Sequence, residues 1–450
     1  MKRTLAFFSS LRLAILLLIL LTAASVLGTL IPQGRSFEEY TARFGGFTSL
    51  VLHLQLNRLY HSTWFLVLLG LFALNIVVCT LTRLGPKVRR ARSPRIEVEP
   101  KSLAALKIRD CVKLKIPAAG AKSELQKILA DAGYRTRETT RGGRIHILAR
   151  KRVFGLFGSD SVHVGLLIII AGGLVSGLSG FREGLTLVKG QEGPVPRSEF
   201  RLRLDDFTTE YYAGGGVKAW KSTLTVLEKT GPVLSKTIEV NHPLSYKGVS
   251  FFQASYGWDW DKTSIEIWAR KKNDPAYLKK LTVRVGERRD LEDGERTALS
   301  VTKFFPDFVL GAGNEPQTRS NEPNNPAALI EGYRGEKFFS GWVFANYPDF
   351  SQTHGTADSG LTFELKRFDA EPVSVIELVY DPGAILIWIG CALVMAGLGL
   401  AFYWPTWEIR AILEETQGQA DLVAAGSATK SRDRFAAEFA RLGAALRRNR

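Results

Sequence analysis

The side chains best equipped for chemistry in this 450-residue sequence are six histidines and three cysteines. One histidine stands apart. His163 lies at the start of an apolar run, residues 162–181, that carries no other ionisable group. An imidazole in such a run costs free energy unless something binds it, so His163 is read as a candidate ligand. A second reading stays open, in which it snorkels at a helix start and hydrogen-bonds the Ser159-Asp160-Ser161 segment. His61 falls in Tyr60-His-Ser-Thr-Trp-Phe65, at the aromatic edge of another apolar run, where water or lipid headgroups would satisfy it as well as a bound group. His146, on an expected strand, and the isolated His242 and His354 read as surface residues. Cys79 and Cys391 lie in apolar runs and Cys111 in a basic segment, with no CxxC and no CxxCH. Thiol–disulfide exchange and a c-type cytochrome are thereby excluded. The basic segment, residues 83–152, contains no phosphate loop, and no nucleophile–base pair, carboxylate pair or metal-ligand spacing emerges in residues 182–383.

These residues are positioned by four apolar runs, 13–31, 63–81, 162–181 and 384–404, each long enough to cross a bilayer. The first follows Lys2, Arg3 and Arg12 but lacks a small-residue cleavage site at Ile31-Pro32-Gln33, so it is expected to be a retained helix. The net charge of +16 is unevenly spread: residues 83–152 hold 20 Lys/Arg against 6 Asp/Glu, whereas residues 181–381 hold 26 against 29. A basic block between two apolar runs marks the cytoplasmic side and anionic lipid rather than nucleic acid.

The expected order of parts follows. Residues 1–31 are a cytoplasmic N-terminus and first helix, 32–62 an extracytoplasmic loop, and 63–82 the second helix. Residues 83–160 form a basic cytoplasmic α+β module, with a helix over 122–132 and strands about Gly142-Gly143. The third helix covers 161–181, and its small residues Gly165, Gly172 and Ser176 form a stripe suited to close helix packing. Residues 182–383 alternate like strands over 200–207, 222–227, 263–268, 281–285, 341–345 and 361–368, which predicts an antiparallel, sandwich-like all-β domain. Its Gly-, Asn- and Pro-rich stretch 311–325 reads as a mobile loop. The fourth helix spans 384–404, and 405–450 is a cytoplasmic tail with an amphipathic helix near 434–448. The fold class is thus a polytopic α-helical membrane protein with four transmembrane helices, a large extracytoplasmic all-β domain and a small cytoplasmic α+β module.

Taken in this order, the parts resemble the ResB (CcsB) family of system II cytochrome c biogenesis. The resemblance covers residues 7 to 410. It rests on Leu11-Arg-Leu-Ala14 through Leu27-Gly-Thr-Leu-Ile-Pro-Gln33, and on Tyr60-His-Ser-Thr-Trp-Phe65 leading to Leu74-Asn75 and Cys79. It rests further on His163-Val-Gly-Leu-Leu167, on Val240-Asn-His-Pro-Leu-Ser-Tyr-Lys-Gly248 with Phe252-Gln-Ala-Ser-Tyr-Gly257, and on Asp381-Pro-Gly383. The resemblance implies a multi-pass protein of the bacterial inner membrane, with both termini cytoplasmic. With a ResC (CcsA) partner it would move haem b across the membrane and support its attachment to the CxxCH thiols of apocytochromes c. A thioredoxin-like thiol reductant would be a further partner. The family's transmembrane haem ligand falls on His163, which would bind haem iron; His61 is a secondary candidate for cofactor binding. The family's tryptophan-rich haem motif belongs to the partner and is not matched by Trp258-Asp-Trp260. This chain would then be one subunit of a haem-attachment complex rather than a catalyst alone. A membrane-anchored scaffold or sensor with no haem role is the alternative from another class.

Overall fold

The structure is a computed structural model that describes residues 2–214, 217–271, 274–311, 313–348 and 359–448. His354 lies outside the described residues. The longer helices are α1 (Leu11–Leu30), α2 (Thr63–Arg92), α3 (Ala118–Asp131), α4 (Gly158–Ser179), α5 (Ala384–Tyr403) and α6 (Arg432–Arg448). Four of them, α1, α2, α4 and α5, are long and apolar enough to cross a membrane. The chain divides into two compact units, residues 1–179 with 382–450, and residues 180–381.

The first unit is built on glycine. Gly158, Gly165 and Gly172 of α4 face Gly397, Gly390 and Gly383 at or just before α5, a seven-residue repeat running in opposite directions on the two helices. A Cβ at Gly165 would lie 2.7 Å from the Gly390 carbonyl oxygen, and one at Gly158 2.6 Å from the Ala401 nitrogen, so only hydrogen fits between the backbones. Helix association in lipid relies on such contact because no hydrophobic drive separates side chain from solvent. On the other side, α1 packs against α2. Asn75, 2% exposed, donates its Nδ2 to the carbonyls of Phe8 and Ser10, which lie between the short helix Lys2–Phe8 and α1.

Helix α2 continues through Pro86 to Arg92, ten residues past the expected end. Its last carbonyls, which no helix can satisfy internally, are capped from a sheet: Arg150 donates to the carbonyls of Arg90 and Ala91, and Arg137 to that of Arg92. That sheet is antiparallel and five-stranded, in the order Ile108–Leu114, Gln419–Ala428, Trp407–Thr416, Arg144–Lys151, Arg135–Arg141. Residues expected to form a separate tail therefore supply two of its interior strands. Both hairpins have two-residue turns with left-handed backbone, at Gly142-Gly143 and at Gln417-Gly418. Helices α3 and α6 cover one face, where Leu129, Ile147, Leu413 and Phe435 are almost fully buried. His146, expected at the surface, is 7% exposed: it faces the side of the sheet that packs against the segment following α2.

The second unit is all β, as the alternation predicts. Two long strands, Val249–Lys271 and Leu361–Tyr380, pair along most of their lengths, with a register break between Asp259 and Ser264. Each half carries its own core. The first half, with strands from 181–238, buries Leu202, Leu224, Phe251 and Ile376; the second, with strands from 274–344, buries Ile267, Val301, Ile330 and Phe363. The domain is thus a two-lobed sandwich strung on one bent ribbon. Within residues 311–325, strand Pro316–Thr318 pairs with Phe308–Leu310. Asp307, 1% exposed, accepts hydrogen bonds from Arg319, Ser320 and Asn324, which ties this stretch down.

Candidate functional site

His163 lies in the second turn of α4 and faces α2. Its Nδ1 is 2.9 Å from the Thr80 hydroxyl, which is 7% exposed. The alternative partners read from the sequence are engaged elsewhere. Ser159 and Asp160 accept from Lys87 of α2 at 2.9 and 2.6 Å, and Ser161 donates to the Leu393 carbonyl of α5. In the tautomer whose Nδ1–H donates to Thr80, Nε2 keeps its lone pair, and no hydrogen bond to Nε2 occurs among the described residues. Fixing one imidazole nitrogen sets the tautomer and orientation of the other, which is how protein-held histidines are prepared for iron or zinc.

His61 closes the 3₁₀ turn Leu56–His61 just before α2. A Cβ at Gly177 would lie 3.8 Å from its Nε2, so the ring rests beside that glycine of α4. His163 and Gly177 are fourteen residues apart, close to four full turns, and share one face of α4 at a separation of about 21 Å. The two imidazoles are therefore at opposite ends of one helix face and cannot ligate the same iron. Between them Leu174, 41% exposed, lies on this face, and Gly173, at its margin, has no neighbour within 4 Å of a built Cβ. Leu167 and Ile170, which follow His163 on this face, are half-buried, so the strip is apolar and opens outward only toward Leu174 and Gly173. Among the described residues no group of three or more His, Cys, Asp or Glu could hold a bare metal ion. A single imidazole beside apolar side chains is a donor set that a group carrying its own remaining ligands could use.

Thr80 escaped the sequence reading. A lone hydroxyl in an apolar run normally bonds its own helix, as Thr82 does to the Val78 carbonyl. Nothing in the pattern links residue 80 to residue 163. His242, in the second unit, is exposed and lies 3.4 Å from Glu239. In the β domain, Gln253 of the Phe252–Gly257 string joins Ser222 and Ser374 in a buried hydrogen-bonded knot across three strands. Trp260 packs on Phe304 and Phe368.

Comparison with known proteins agrees with this architecture. The model of the ResB-like family matches residues 11–440. A cytochrome c biogenesis protein CcsB of Thermosynechococcus vestitus is 32% identical over 421 residues, covering 89% of this chain and 87% of that relative. Proteins of the same description from Synechococcus sp. (strain JA-3-3Ab) and Prochlorococcus marinus (strain MIT 9313) are 27% and 29% identical, covering 96% and 89% of this chain and 88% of each relative. With its four membrane-length helices, its inserted β domain and a family match across nearly its whole length, the chain belongs to the ResB-like family.

Proposed function

We propose that this chain is a membrane subunit of cytochrome c biogenesis that holds haem at His163 and passes it along α4 toward the side of the β domain. The observation that carries the reading is His163 itself: an imidazole in a membrane-length helix, oriented through Nδ1 by Thr80, with Nε2 turned away from that bond. Haem is the cargo. Bound, it would supply iron for Nε2, and this chain's own part is to orient the ring and offer an apolar wall. In this reading His61, at the far end of the same face, would meet haem at a later stage of the passage and would not be a second ligand to the same iron. The exposed part of that strip, about Leu174 and Gly173, suits a second membrane subunit of the ResC (CcsA) type, completing a conduit that one side alone leaves open. The charge pattern supports an orientation with the basic α/β module in the cytoplasm and the β domain outside, where apocytochromes c receive haem.

Gene deletion with complementation tests this. Loss of all covalently haem-bearing cytochromes, restored by the wild-type gene and not by His163→Gly, is the expected result. Intact cytochromes in the deletion strain would contradict it and favour the scaffold or sensor reading.

A further inference from the structure

A second feature lies on the α2–α4 seam, beyond the Lys87–Asp160 pair as seen from His163. Between the end of α2, the edge of the five-stranded sheet and the turn entering α4 is a cavity of about 580 Å³. Its polar wall is arginine: Arg92 from α2, Arg135 and Arg137 from the edge strand, and Arg150 from the next. Arg135 and Arg150 are cross-strand partners, as are Arg137 and Leu148, so these side chains rise from one face of the sheet. Val88, Phe154 and Phe157 form the apolar wall, and Phe154 is 76% exposed.

No Asp or Glu lines this cavity. Among the described residues, none of Arg92, Arg135 and Arg137 makes an ion pair; the bond from Arg137 goes to a backbone carbonyl. The nearest buried carboxylate, Glu408, is already shared between Arg410 at 2.8 Å and Arg90 at 3.6 Å. The affinity of Arg150 for its proton is lowered, first by burial and then by Arg137, Arg90 and Arg410, with Glu408 opposing. Converging guanidinium groups without counter-charge repel one another, and a planar oxyanion relieves the repulsion through charge-assisted bonds that arginine makes two at a time. A bare anion would leave the aromatic wall wet.

We propose that this cleft binds the anionic head of an amphiphile, a phosphate or carboxylate on Arg92, Arg135 and Arg137, with its apolar body against Val88, Phe154 and Phe157. Two sources offer that chemistry, an acidic phospholipid of the bilayer and a propionate-bearing porphyrin entering the seam below His163. The site does not depend on the haem reading, since the lipid would occupy it regardless.

The test uses the full-length protein and an Arg135→Gln/Arg137→Gln variant in phosphatidylcholine nanodiscs, with or without phosphatidylglycerol. Retained lipid is read by native mass spectrometry, and haemin binding is compared with that of haemin dimethyl ester. Selective loss of phosphatidylglycerol, by about tenfold, assigns the phospholipid. Weakened haemin binding with unchanged dimethyl-ester binding assigns the propionate. Arg141→Gln/Arg144→Gln, outside the cleft and paired with Glu97 and Glu414, is the charge-matched control. Equal losses in the control, or no change in either arm, overturn the proposal. Should the double variant fail to fold, Arg92→Gln gives the same reading, because only its backbone carbonyl serves the sheet.

Discussion

The same substitution at two glycines of α4 should have opposite consequences. At Gly165 an added Cβ would meet the Gly390 carbonyl oxygen at 2.7 Å, Val394 Cγ2 at 2.8 Å and the Val394 nitrogen at 2.9 Å. Two of these atoms are backbone and cannot rotate away. Ordinary contact begins near ~3.5 Å, so α4 and α5 must part by roughly 0.8 Å. Overpacking of this kind costs about 1–3 kcal/mol, and the parted helices also lose dispersion along the whole glycine repeat. At Gly173 nothing lies within 4 Å, so alanine brings only its helix preference, worth up to about 1 kcal/mol. Gly165→Ala should therefore be less stable than Gly173→Ala by about 1–3 kcal/mol, or about fivefold to 150-fold in the unfolding equilibrium. Reversible unfolding of the full-length protein in mixed micelles, followed by protease susceptibility of the α4–α5 pair, measures the difference. Equal stability of the two variants would refute the close-packed glycine seam.

Three further outcomes follow from the structure. Thr80→Val keeps the shape but removes the hydroxyl at His163 Nδ1, and haem affinity should fall about 10- to 100-fold while Thr80→Ser restores it, as measured by haem titration. A chain ended after Trp404 loses two interior strands and Phe435 from the α/β module, so limited proteolysis should cut residues 100–152 rapidly while the β domain stays resistant. In the β domain, Asp307 is held below its ordinary value of 3.8, first by the Arg319 hydrogen bond and then by Ser320, with burial opposing. A depressed carboxylate stabilises the ionised folded form above its unfolded pKa and loses that contribution as pH falls through the folded value. The protection of the Arg319 amide, which bonds the Asp307 carbonyl, relative to the intrinsic exchange rate should therefore fall below about pH 4, and Asp307→Asn should remove that change in protection.

The elements were legible where periodicity was long and unmixed. The four apolar runs and the alternating strands of residues 182–383 appear much as the pattern implies, because lipid and a sandwich interior each impose one simple period. The α/β module was half visible. Its last two strands lie more than 250 residues from the others, and the five-stranded sheet forms only because α4, the β domain and α5 return the chain to its start. The second helix was expected to end at residue 82, yet α2 runs on through Pro86 to Arg92, where arginines of the sheet cap its final carbonyls. His146 looked polar and therefore exposed, but strand order decides burial, and an interior strand has no solvent edge. At the site, the composition of one apolar run singled out His163. Thr80, the arginine cleft and the glycine partners on α5 depend on which helices touch, and single-chain periodicity is silent on that.

The most direct test of the account is the absorption spectrum of the protein purified with its ResC-type partner, wild type beside His163→Gly. The account predicts a haem spectrum in the wild type that is lost or shifted in the variant and restored by added imidazole. Equal haem with unchanged spectra in both would contradict it, leaving His61 and the partner to supply the ligands and this chain to act as their scaffold.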